Sequence, residues 1–178
     1  MAGSLFDRDG LRILPLSERV NKVQIERDHI SPEAPAPELS QENEEALQVL
    51  VGELVAARDA GASRIMAFGA HAIKNGLGPV MQWLVGEGWI THLATNGAGI
   101  IHDWEFAFQG ESSEDVRANV AHGRFGIWKE TGRFINLALI VGAFEGLGYG
   151  ESIGALVENE GLNIAGPDEL QRIIAGGA

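Results

Sequence analysis

The chain contains no cysteine, which removes disulfides, thiolate nucleophiles and Cys-ligated zinc from the chemistry open to it. Catalysis must use other groups. No apolar run reaches the roughly 18 residues that a membrane span requires, because Gly, Glu or Arg interrupts each one. The start, Met1 to Arg8, has neither the basic region nor the apolar stretch of a signal peptide. A cytoplasmic protein is therefore the expectation. Basic residues are scarce and scattered, with 13 Lys and Arg against 25 Asp and Glu and a formal net charge of −12. Such a chain would repel a polyanion, so nucleic acid is not an expected partner. The acidic balance better suits cationic ligands, with plain solubility as the other reading.

What is present is ordinary globular material. With 178 residues, 45% of them hydrophobic and 21% charged, the chain can build one domain with a real core and is too short for two comfortable ones. Residues 1–40 have a different texture from the rest. Leu11 to Pro15 and Val20 to Ile25 are short and partly alternating, and Ser31-Pro-Glu-Ala-Pro-Ala-Pro37 holds three prolines that forbid helix. This part reads as an N-terminal arm or linker with short strands, and residues 41–178 as the α/β domain.

From Ser40 the pattern is helical. Ser40 is an N-cap candidate, Leu47, Leu50, Val51, Leu54 and Val55 recur at helical spacing, and Gly61 ends the segment. Arg64 to Phe68 then reads as a buried strand, followed by the polar turn Gly69 to Gly76 and a helix with Pro79 in its first turn. The unit repeats: Trp89 to Thr95 is a second strand, Asn96-Gly-Ala-Gly99 its turn, and Ile100 to Phe108 a helix. Strand, loop, helix, twice over, signals parallel β/α structure with both loops at one sheet edge. Beyond it, Ser112 to Asp115 caps a short helix, Ile127 to Phe144 forms a longer one broken by Gly146 to Gly150, Glu151 to Glu158 resumes, and Pro167 to Ile174 is a last helix. Two firm strands and two weak N-terminal ones are few for an open parallel sheet. The expectation is that partner chains complete the core, as a homo-oligomer, or that the sequence is a fragment.

In open α/β sheets ligands bind beyond the carboxyl ends of the strands, where both polar turns fall. Glycine lets backbone approach a ligand, and amides at a helix start can receive phosphate oxygens. Gly97-Ala-Gly99 is a candidate phosphate turn, though not the full G-x-G-x-x-G fingerprint, and turn chemistry alone also accounts for it. His71 and His102 each follow a strand, and with Asp103 and Glu105 could supply nitrogen and oxygen ligands to a metal. The competing reading is that of satisfied structural histidines, since no HxxxH or HxH spacing occurs. Asp103 and Glu105 are two apart and face different ways on a helix, a poor acid/base pair. Lys74 is the only lysine near either loop.

The segment Phe68-Gly-Ala-His-Ala-Ile-Lys-Asn-Gly-Leu77, a helix, then Ile90-Thr-His-Leu-Ala-Thr-Asn-Gly-Ala-Gly-Ile-Ile-His-Asp103 resembles deoxyhypusine synthase, whose loops read T-S-N-x-x-S-S-G and T-A-G-G-x-E-E-D. It is similar also to bacterial relatives of that enzyme carrying G-A-H-x-I-K, M-N-G-A-G-x-I-H-D and G-x-[TS]-S-E-D, the last standing here as Gly110-Glu-Ser-Ser-Glu-Asp115. The resemblance runs from about residue 64 to 115 and extends across 11–150. It implies a Rossmann-like parallel sheet flanked by helices, bound NAD, a tetramer built from dimers that share active sites, and transfer of an aminoalkyl group from an amine. By the same resemblance Gly69, Ala70 and His71 stand at the loop that approaches NAD, and Asn96, Gly97, Ala98 and Gly99 match the Thr-Ala-Gly-Gly turn. Ile101-His102-Asp103 replaces Glu-Glu-Asp, and the family's nucleophilic lysine belongs to a second half with no counterpart here.

The expectation is thus an NAD-binding protein, a transferase or oxidoreductase acting on a small amine, with His102 as proton acceptor beside Asp103. Two alternatives stand beside it. One is a metal-dependent hydrolase using His71, His102 and Asp103, and the other a non-catalytic binding or assembly protein.

Overall fold

A computed structural model describes residues 10–161 together with residues 168, 172, 175 and 176; most of the helix expected at 167–174 lies outside them. The chain is mixed α/β, mainly helical with two small sheets among the described residues. It divides into two compact units, Arg19–Phe125 and a second made of the residues up to Glu18 with those from Gly126 onward. No helix among the described residues is long and apolar enough to cross a membrane.

In the unit Arg19–Phe125, strand β1 (Asn21–Gln24) runs into a single helical turn, α1 (Ile25–Asp28). Helix α2 (Gln41–Asp59) starts where expected, with the Ser40 side chain accepting from Asn43 N. Strand β2 (Ile65–Ala67) leads to α3 (Ala70–Lys74) and α4 (Gly78–Gly86), whose first turn holds Pro79. Strand β3 (His92–Ala94) leads to α5 (Gly97–Gln109), closed by Gly110 in the left-handed region at φ 73°. Strand β4 (Glu111–Glu114) and helix α6 (Val116–Ala121) complete the unit.

Strands β2 and β3 pair in parallel, Ile65 opposite His92 and Ala67 opposite Ala94. The two βα loops therefore lie side by side at one edge. The expectation of a buried strand at Arg64 to Phe68 needs correction. Met66 and Phe68 pack on a core of Ile73, Met81 and Phe106, with Val23, Ile25 and Leu77 around it. On the other face Ile65 is 66% exposed, while Leu93, opposite Met66 in the register, is 46% exposed. Helix α2, which precedes β2 in the chain, buries none of its residues and leaves that face open.

The second sheet is an antiparallel ribbon of β1 and β4, with Val23 opposite Ser112. Ser112 to Glu114, expected to cap a helix, form a strand instead. Asp115 is the cap, its Oδ1 accepting from Ala118 N at 2.9 Å. Loop geometry locks this face too. Gly76, at φ 84°, leaves no room for a Cβ against the backbone of Asp28, and Ile30 N donates to its carbonyl at 2.9 Å.

In the other unit Leu14 forms a parallel bridge with Trp128, and Leu16 N donates to Glu130 Oε2 at 2.6 Å. Helices α7 (Lys129–Glu145) and α8 (Tyr149–Glu158) are separated by Gly146 at φ 79°. They approach closely where Gly142 meets Ser152, since a Cβ at Gly142 would collide with the serine hydroxyl.

Candidate functional site

The ends of β2 and β3 are stitched together. Phe68 N donates to Ala94 O at 2.9 Å, and the Thr95 hydroxyl donates to Phe68 O at 3.0 Å. One residue further on, each strand becomes a helix start. Gly69 is the N-cap of α3, extended at φ −107°, and exposed, with nothing within 4 Å of where a Cβ would stand. Asn96 is the N-cap of α5, its Oδ1 accepting from Gly99 N at 3.1 Å, the role for which asparagine is among the best residues. The N–H groups of Gly97 and Ala98 open the helix, where a helix has no carbonyl of its own to satisfy them. Gly99 is buried, and a Cβ there would collide with Thr95 Oγ1. All seven residues expected to meet a cofactor, Gly69, Ala70, His71, Asn96, Gly97, Ala98 and Gly99, thus share one edge.

His102 lies in the second turn of α5. Its side chain is 20% exposed, and Glu105, one turn on, is fully buried. Residues three apart share a helix face, and here that face is turned toward β4. His102 Nδ1 is 2.7 Å from Ser112 Oγ, and Ser112 Oγ donates to Glu105 Oε2 at 2.6 Å. Arg19 grips the same carboxylate from the other side, Nη1 to Oε1 at 2.7 Å and Nη2 to Oε2 at 2.6 Å. Its Nε donates to Asn21 Oδ1 at 2.7 Å, and Asn21 Nδ2 to Glu111 Oε1 at 2.9 Å. A bidentate arginine–carboxylate pair is the strong, geometrically fixed form of an ion pair.

Burial pushes the His102 imidazole below its ordinary value, while Glu105 pulls it up and Lys74, Arg19 and His71 push it further down. Lys74 and His71 belong to α3, so the first loop acts electrostatically on the histidine of the second. Asp103 is turned to the exposed side of α5. Crowding by protein raises its carboxyl above the usual range, and His29 opposes this. His29 itself stands edge-on to Phe106 at 5.2 Å.

The structure separates Asp103 from Glu105, as their spacing implies, and it withdraws Glu105 from any ligand set by committing both oxygens to Arg19 and one also to Ser112. Among the described residues no three His, Asp or Glu side chains gather to hold a metal ion. Arg19 and Ser112 went unanticipated. Arg19 sits in the N-terminal arm 86 residues before its partner, with no local pattern to mark it. Ser112 carried a signal, the Ser-Ser-Glu-Asp run, but one read as a helix cap.

No family model matches the chain, and no curated protein or solved structure is significantly similar to it.

Proposed function

We propose that the protein is a Rossmann-like, deoxyhypusine synthase-like protein that binds NAD at the Gly69 and Asn96 loops and acts on a small amine as a transferase or oxidoreductase. The observation that carries the reading is that two glycine-opened helix starts follow adjacent parallel strands, and that the second helix carries a histidine held by a buried ion-pair network. The residues suit a dinucleotide. The surface over Gly69 is open, the first amides of thirteen-residue α5 have no carbonyl of their own helix to satisfy them, and Lys74 is close enough to His102 to act on it electrostatically.

Bound there, NAD would supply the hydride acceptor for oxidation of an amine carbon. The chain's own residues would handle the proton. A protonated amine must lose a proton before its carbon can be oxidised, and neutral His102 is the group placed to take it. Asp103 offers a carboxyl to the ammonium, whose arrival would favour the ionised form that crowding now opposes. Calorimetric titration with NAD and NADP tests this directly. Heat of binding at submillimolar nucleotide is expected, and silence at millimolar concentration of both removes the cofactor reading.

An assembly role has separate support. Helix α2 presents Leu47, Leu50, Val51 and Val55 to solvent, with Ile65 and Leu93 exposed on the nearby strands. Isolated exposed leucines need no explanation, but a run of them on one helix marks an interaction face. A second copy of the chain is the partner proposed for it.

A further inference from the structure

The contact between His102 and Ser112 fixes more than a distance. Ser112 has one hydroxyl hydrogen, and Oγ lies 2.6 Å from Glu105 Oε2. A carboxylate gripped by arginine on both oxygens only accepts, so the hydrogen must lie between these two oxygens. Ser112 Oγ then faces His102 Nδ1, 2.7 Å away, with a lone pair. The hydrogen in that contact belongs to the imidazole. A neutral ring carries one hydrogen, which leaves Nε2 with its lone pair. Glu105 cannot impose this directly, since its Oε2 is 3.9 Å from Nδ1, beyond hydrogen-bond range.

The surroundings of Nε2 agree. Among the described residues no buried side-chain nitrogen or oxygen lacks a hydrogen-bond partner, and the hydrogen bond of His102 is made through Nδ1. Nε2 is therefore the ring atom that meets solvent. We propose that Ser112 is a positioning residue for His102: clamped by the Arg19–Glu105 pair, it accepts the Nδ1 hydrogen and so presents Nε2 as the proton-accepting atom of the site. The inference deepens the functional reading above and rests on it for what the proton acceptor serves. Proton transfer forms a bond from Nε2 to hydrogen as the donor's bond to hydrogen breaks. The imidazolium that results is held at Nδ1 by a hydroxyl whose own hydrogen leans on Glu105. A hydrogen bond of this kind, made by the ring nitrogen that does not react, sets both tautomer and ring orientation.

Nitrogen-15 spectra of histidine-labelled protein, recorded above the titration of His102, test the tautomer without any need for turnover. In the wild type Nδ1 is expected to show the shift of a hydrogen-bearing nitrogen and Nε2 that of a bare one. Ser112→Thr keeps the hydroxyl and should keep the pattern; Ser112→Ala should move the hydrogen to Nε2 in a growing fraction of molecules. A wild type with its hydrogen on Nε2 overturns the inference, as does a folded Ser112→Ala with an unchanged pattern. Should Ser112→Ala fail to fold, the wild type and Ser112→Thr decide, and a folded Thr variant with the hydrogen on Nε2 is equally fatal. Nucleotide titration of the same samples separates the two claims: an Nδ1–H histidine in a protein that ignores NAD supports the positioning role and defeats the cofactor reading alone.

Discussion

The hydroxyl of Thr95 donates to the carbonyl of Phe68 at 3.0 Å, tying the loop after β3 to the loop after β2. The same oxygen fills the space that a side chain at Gly99 would need. Glycine at 99 is thus demanded by the protein's own packing, whatever binds at the edge. Gly69, on the other loop, faces open space in extended conformation.

The two glycines therefore separate folding from binding. Gly99→Val overpacks the Thr95 contact and is expected to cost about 1–3 kcal/mol, or roughly 2–4 °C of melting temperature per kcal/mol at this chain length. Gly69→Val should cost no more than the loss of a weak cap, about 0.5–1 kcal/mol, and lose at least about tenfold in NAD affinity, because the β-branched side chain occupies the room a ligand needs. Paired melts and titrations check both. A Gly69→Val variant that binds NAD as the wild type does places the nucleotide elsewhere.

Acid should loosen the fold through His102. Its folded value is lowered from 6.5, chiefly by burial, so on acidification the unfolded chain takes up the proton first. Stability is then fully present above about 6.5 and falls as pH drops from there through the folded value. Asp103 has the opposite sign, its folded value being raised from 3.8, so its contribution is present below 3.8 and fades as pH rises through the folded value. Melting temperature against pH for wild type and His102→Gln is the measurement. The variant should lose the slope just below 6.5, and a His102 resonance titrating at or above 6.5 would contradict the assignment.

Arg19 and Glu105 have 3% and 0% of their side chains exposed. Breaking such a pair leaves one charge buried alone, so Arg19→Ala or Glu105→Ala is expected to lose about 3–5 kcal/mol in urea denaturation. Replacing both, as Arg19→Met with Glu105→Leu, removes the orphaned charge and should recover much of that loss. A single variant within about 1 kcal/mol of wild type would show that water reaches the pair in solution.

Local chemistry made much of the frame legible. Ser40 is a cap because its side chain reaches the amide three residues on, and Pro79 and Gly146 mark a helix start and stop by backbone geometry alone. What the sequence hid was non-local. An apolar run such as Arg64 to Phe68 shows that residues favour burial, not that the chain contains something to bury them, and Ile65 is the result. β4 was invisible because its inward position is Ser112, held by a carboxylate rather than by apolar contact. The loop residues of the candidate site could be placed from strand ends and glycines. Arg19, 86 residues from Glu105, could not.

The exposed apolar face of α2 leads to a last expectation, that the protein associates with itself. Leu47, Leu50 and Val51 lie on exposed turns of the helix, and Ile65 on a sheet face left uncovered. Pairing two such faces could bury an area in the range of about 1,200–2,000 Å² typical of stable interfaces. Opposing this is a formal net charge of −12 on each copy, a repulsion that salt screens over about 10 Å at 0.1 M and about 3 Å at 1 M. Association should therefore tighten as salt rises, the reverse of an interface built on ion pairs. Leu47→Glu with Leu50→Glu adds charge to the face without touching a buried residue, and should give a folded monomer. Sedimentation velocity across a salt series is the check. A wild type that stays monomeric at micromolar concentration in high salt, with the double variant indistinguishable from it, would mean that α2 does not serve self-association.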